Sequence, residues 1–98
     1  MTVEQASVES IFHEMGYASS TDYAIKKARE ELLRDLKVSL ERVDTFERKY
    51  GMSYADFDKQ FHELTQYSLF EREDDSMDWR LELNEVREVE KRLIKLVS

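Results

Sequence analysis

Apolar residues recur along this chain at steps of three and four, the spacing of helical faces rather than the alternation of strands. Val8, Ile11, Phe12 and Met15 form a first short stripe. Thr2 and Gln5 stand before it at capping-box spacing, and Gly16 follows it. A second, longer stripe runs through Ile25, Ala28, Leu32, Leu36, Leu40, Val43, Phe46 and Tyr50. The polar segment Ala18-Ser19-Ser20-Thr21-Asp22 before it is rich in N-cap candidates, and Gly51 after it can supply the left-handed residue that ends a helix. Ser53 and Asp56 then open a short third helix bearing Phe57, Phe61 and Leu64, with Met52 placed to staple onto Phe57. Trp79, Leu83, Val86, Val89, Leu93 and Leu96 make a last stripe, for which Ser76 is the candidate cap.

The pattern predicts an all-α chain with helices over about residues 2–16, 22–50, 53–66 and 77–97 in a single helical domain. Tyr67 to Ser76 can be read as a loop with an apolar tip, Leu69 and Phe70, beside an acidic run, or as helix in part. A helix over 22–50 spans on the order of 40 Å, too long for the inside of a small globule. The expected architecture is therefore an antiparallel hairpin of two long helices with coiled-coil character, its flanks partly covered by the short ones. Two exposed stripes of that length favour dimerisation.

Composition supports long uninterrupted helices. The 98 residues include no Pro and two Gly, so little interrupts them. Aromatic residues at 11% argue for a folded chain. No apolar run reaches the length of a membrane span, and the first residues lack the pattern of a secretory signal, so the expected address is the cytoplasm. The absence of Cys removes disulfides, thiolate nucleophiles and Cys-based metal sites. With a net charge of -7, direct binding to nucleic acid or anionic lipid is not expected, and a basic protein is the better-matched partner.

Catalytic and metal-binding patterns are weak. His62-Glu63 and His13-Glu14 begin like zinc-protease helices, but Gln66 and Tyr17 stand where the second His would be. The acids Glu71, Glu73, Asp74, Asp75 and Asp78 lack the Gly and the ligand alternation of a calcium loop. There is no Gly-rich phosphate loop and no nucleophile elbow. No cofactor is expected. A small metal-dependent or hydrolytic enzyme built on His13, His62 and carboxylates is the weakest reading, and the chain is taken as a non-enzyme.

The apolar surplus is more informative. Phe57, Phe61, Tyr67, Leu69, Phe70, Met77 and Trp79 crowd into one region beside the acidic run. Helical stripes are usually core, and Phe57 and Phe61 can be read that way. Tyr67, Leu69, Phe70 and Trp79, placed at or near a loop, fit the aromatic anchors of a protein interface. The expected partner-binding set is Phe57, Phe61, Tyr67, Leu69, Phe70, Asp74, Asp75, Asp78 and Trp79.

The segment from Lys49 to Leu96 also resembles a group of small acidic helical proteins of prokaryotes. In that group a long helix ends in Tyr-Gly-Met-Ser, a short helix with two Phe follows, and an acidic loop leads to a Trp opening a final amphipathic helix. Tyr50, Gly51, Met52, Ser53, Phe57, Phe61, Asp78 and Trp79 carry the resemblance, which covers about half the chain. Such proteins are often encoded beside a small ribonuclease-like toxin, notably of the TumE type, and are treated as its antitoxin. The resemblance thus implies a protein that masks a basic toxin. Two departures stand out: Tyr67, Leu69 and Phe70 stand where the group has a Gly-rich acidic loop, and residues 1–21 look like an extra helix that many relatives lack. The alternative is a homo-oligomeric coiled-coil assembly protein without catalytic activity.

Overall fold

A computed structural model describes residues 3–97, with side chains from Ala6 onward. The expected cap at Thr2 lies outside the described residues. The order is α1 (Val3–Glu14), α2 (Ser20–Tyr50), α3 (Tyr54–Lys59), a 3-10 turn (Phe61–Glu63) and α4 (Leu69–Val97). The described residues contain no strand. The two long helices pair as an extended hairpin measuring 68 × 20 × 18 Å. Its radius of gyration is 21.0 Å, whereas a compact chain of this length would have about 13 Å.

Local signals set the helix ends. Ser19 caps α2, its hydroxyl accepting from the Asp22 amide at 3.0 Å. Gly51 ends α2 at φ 69°, and its N–H donates to the Glu47 carbonyl. Ser53 caps α3 by accepting from the Asp56 amide. Met52 packs on the cluster that contains Phe57, as expected of a staple.

The last helix starts earlier than residue 77. Of the two readings of 67–76, the structure has the helical one, with residues 69–76 in α4. The cap is Ser68, whose hydroxyl accepts from the Glu71 amide at 3.1 Å. Ser76 lies two turns inside, its hydroxyl 3.2 Å from that of Tyr54. The acidic run begins in the first turn of α4 with Glu71, where a carboxylate complements the positive end of the helix dipole, and continues through the next turns. The third helix is correspondingly shorter than 53–66 and ends in the 3-10 turn.

The helices run antiparallel in a steady register. Lys49 meets Asp75, Phe46 meets Trp79, and Arg42 meets Glu82. The same register brings Leu36 level with Val89 and Leu32 level with Leu93. Ser39, not Leu40, occupies the seam: Ser39 is 4% exposed and Leu40 is 47% exposed. Periodicity from Leu36 and Val43 permits either residue. Ser39 lies seven residues before Phe46, about 20° from it around the helix, whereas Leu40 lies about 120° away. Phe46 and Tyr50, held against Trp79, therefore direct the seam through Ser39.

The core sits at the closed end of the hairpin. Val43, Tyr50, Phe57, Leu64 and Trp79 form its buried cluster. Trp79 is flanked by nearly parallel Phe46 (5.6 Å between ring centroids) and Tyr50 (6.0 Å), with Tyr54 edge-on at 5.3 Å and Phe57 at 5.2 Å. Towards the open end Val89 is fully buried. Beyond it, α1 rests on the start of α2 through Phe12 against Tyr23 and Glu9 against Ser20, and Tyr17 of the connection packs edge-on to Tyr23.

Trp79→Ala and Phe57→Ala should each destabilise the chain by about 3–5 kcal/mol, the usual range for truncating a buried aromatic residue. Trp79→Phe should cost clearly less, because the indole N–H has no acceptor among the described residues. Urea denaturation followed by far-UV circular dichroism measures all three; equal losses for Trp79→Phe and Trp79→Ala would contradict a role based on ring packing.

Candidate functional site

The residues expected at a partner interface divide into two sets. Phe57 and Trp79 are 0% exposed. They are core residues in this fold, a correction to their placement as surface anchors. Trp79 lies eleven residues into α4 and not beside a loop. Phe61 is half-buried, packed edge-on to Phe57 at 5.7 Å and beneath the Arg72 guanidinium at 5.3 Å. Tyr67 is also half-buried, its ring 4.7 Å from that of Tyr50 and its hydroxyl donating to the Lys49 carbonyl at 2.9 Å. Asp75 faces α2, not solvent: its carboxylate accepts from Tyr50 Oη at 2.5 Å and from Lys49 Nζ at 2.6 Å. These three side chains are committed within the hairpin. A chain with so little interior uses its widest rings to fill the one place where three elements meet.

The Lys49–Asp75 contact belongs to a polar latch beside the core. Lys49 Nζ also lies 2.5 Å from Glu71. The hydrogen bonds to Asp75 and Glu71 hold the lysine well above its ordinary pKa. Burial, reinforced by the bond to Asp75, pushes the Tyr50 hydroxyl well above the ordinary tyrosine range. Both effects favour the protonated groups in the folded chain.

Sequence reasoning missed Arg72. The side chain is 8% exposed and clamps the connection into α4, donating to the carbonyls of Phe61 at 2.6 Å, Tyr67 at 3.1 Å and Ser68 at 3.3 Å. A helix starting at Ser68 would have revealed it, because Arg72 then lies one turn inside and reaches back over the preceding turn.

The surface set comprises Leu69, Phe70, Asp74 and Asp78. Phe70 is 79% exposed and Leu69 52%. Met77 and Leu81, also exposed, lie seven and eleven residues after Phe70, so the three share one flank of α4. Asp74 and Asp78 interleave with them and form no ion pair among the described residues. Leu81 and Asp78 also line a shallow groove against Arg42, Thr45 and Phe46 of α2. The result is an apolar strip edged with carboxylates.

His13 Nε2 lies 2.7 Å from the Ala18 carbonyl, and His62 packs edge-on to Phe61. Among the described residues, no group of three or more His, Cys, Asp or Glu is disposed around a potential metal site. No described helix is long and apolar enough to cross a membrane.

Tyr50→Phe removes a hydrogen bond to a carboxylate and should cost about 1–3 kcal/mol. Because the folded pKa values of Tyr50 and Lys49 are raised, their stabilisation is complete below the unfolded values near pH 10 and is lost as pH rises through the folded values. Wild-type stability should therefore fall above about pH 10, and Tyr50→Phe should show a shallower alkaline decline. Denaturation curves across alkaline pH test this; an unchanged slope in Tyr50→Phe would exclude ionisation of Tyr50 as a source of the decline.

Comparison with protein-family models, curated proteins and solved structures returns no significant match.

Proposed function

We propose that the chain is a non-enzymatic, antitoxin-like binding protein that neutralises a basic, ribonuclease-like toxin by masking its surface in the cytoplasm. The observation that carries this reading is the exposed strip of Phe70, Met77 and Leu81 interleaved with Asp74 and Asp78. A ribonuclease must present a positive groove to bind phosphate, and a carboxylate-edged apolar strip is complementary to such a groove. Opposite charge would accelerate encounter, while the desolvated Phe70 ring would slow dissociation. The net charge of -7 and the resemblance of residues 49–96 to antitoxin-like proteins support the same reading. The binding set becomes Leu69, Phe70, Asp74 and Asp78 with the exposed Met77 and Leu81 added, because Phe57 and Trp79 are enclosed by the fold and Phe61, Tyr67 and Asp75 are engaged within the hairpin.

The test is co-expression with a small basic protein encoded beside this gene. The pair should co-elute at low salt, restore growth of cells producing the neighbour, and bind more weakly as salt rises. Phe70→Ala should weaken binding about 30-fold, the scale of an interface hot spot, without moving the melting temperature. Asp74→Lys with Asp78→Lys should chiefly slow association. Failure of the pair to co-elute even at low salt would remove the proposal.

A further inference from the structure

A second uncovered surface lies on α2. Lys26, Arg29, Leu33, Leu36, Leu40, Asp44 and Glu47 follow one another at steps of three and four, tracing a line beside the buried seam. Leu33 and Leu40 are 49% and 47% exposed, and Leu36 is half-buried. Together with Lys37, Glu41 and Asp44 they line a shallow apolar groove. Arg42 lies two residues beyond Leu40, about 200° around the helix, so this line and the groove bearing Leu81 occupy opposite flanks of the hairpin.

The charge order along this line is self-complementary. Two cations precede three leucines, and two acids follow. If a second copy lies antiparallel across it, Leu33 of one copy meets Leu40 of the other. The same register sets Arg29 opposite Asp44 and Lys26 opposite Glu47. A two-fold axis repeats every contact, which makes the face isologous. A parallel pairing would instead set like charges against each other. Lys26 and Asp44 already form exposed intrahelical pairs with Asp22 and Arg48. Such pairs contribute little and can exchange at low cost.

The dimensions are sufficient for a dimer. The line from Lys26 to Glu47 is about 32 Å long, and the hairpin is about 20 Å wide. That footprint is on the order of 600 Å² per copy, the lower end of what stable protein pairs bury on each partner. Charge also selects this face. With eight cations and seven acids, α2 is nearly neutral, whereas α4 carries nine acids and six cations. An acidic chain meets its own copy with least repulsion through α2.

We infer that the Leu33–Leu36–Leu40 face of α2 binds a second copy of this chain antiparallel about a two-fold axis, with Arg29 of each copy against Asp44 of the other.

Sedimentation velocity of the purified chain over a wide concentration range should show a monomer–dimer equilibrium. Arg29→Glu and Asp44→Arg should each weaken it by on the order of tenfold, since each creates two like-charge contacts, and the double variant should restore it. Circular dichroism should show unchanged helicity in all three. Because the chain has no native Cys, the register can be read directly: a mixture of Leu33→Cys and Leu40→Cys chains should form the mixed disulfide, not the two like pairs. A monomer at every concentration, a dimer indifferent to both single charge reversals, or preferential like pairs would overturn the inference. The experiment contains no toxin, so its outcome is separate from that of the proposed neutralising activity.

Discussion

The fold depends on the enclosure of the Trp79 indole by rings from two other elements. Phe46 and Tyr50 come from α2, and Tyr54 and Phe57 from α3. A two-helix hairpin has only a seam and no enclosed interior, so most of its side chains retain contact with water. At the closed end α3 turns across the seam and supplies a third wall. Only there can a bulky aromatic residue become wholly buried. Hydrophobic stabilisation scales with apolar area removed from water, so that small region contributes disproportionately. The register follows from it: once Trp79 lies against Phe46, Arg42 and Lys49 fall opposite Glu82 and Asp75.

The polar latch is a consequence of the same placement. Lys49 and Tyr50 stand at the last turn of α2, and Glu71 and Asp75 stand in the opening turns of α4. Glu71 therefore sits at the positive end of its own helix, and both carboxylates lie within reach of a cation or hydroxyl from the other helix. Arg72 secures the intervening connection by donating to three carbonyls, which replaces the hydrogen bonds that an irregular backbone otherwise lacks. Ring packing and the latch reinforce each other because both require the same register.

Much of this architecture was legible in residue order. Gly51 and Ser53 carry local signals whose meaning does not depend on tertiary context: Gly51 ends α2 and Ser53 caps α3. Ser68 is equally legible, because Ser68 and Glu71 have capping-box spacing, but the dense acidic run after them is as compatible with a solvated loop as with a helix, and Ser76 offers a competing cap. That displaced Trp79 to a helix start and made an interior residue look like a surface anchor. The choice between Ser39 and Leu40 was of another kind. Hydrophobicity favours Leu40, periodicity from its neighbours permits both, and only the ring contacts of Phe46 and Tyr50 decide. The separation of Phe57 from Phe70 likewise needs three dimensions, because both are aromatic residues near acids in sequence.

Displacing Leu40 from the seam also changes the meaning of the rest of α2. A leucine left half-exposed at one position would carry little weight, since single apolar residues are common on protein surfaces. Here the same rotation leaves Leu33, Leu36 and Leu40 together, bordered by cations at one end and acids at the other. The α4 strip has a different character: its apolar residues are interleaved with acids of one sign, which makes it hostile to its own copy and receptive to a basic surface. Charge order thus distinguishes two faces of similar hydrophobicity, one complementary to its own copy and the other to a basic surface. Since they lie on opposite flanks, occupation of one leaves the other accessible.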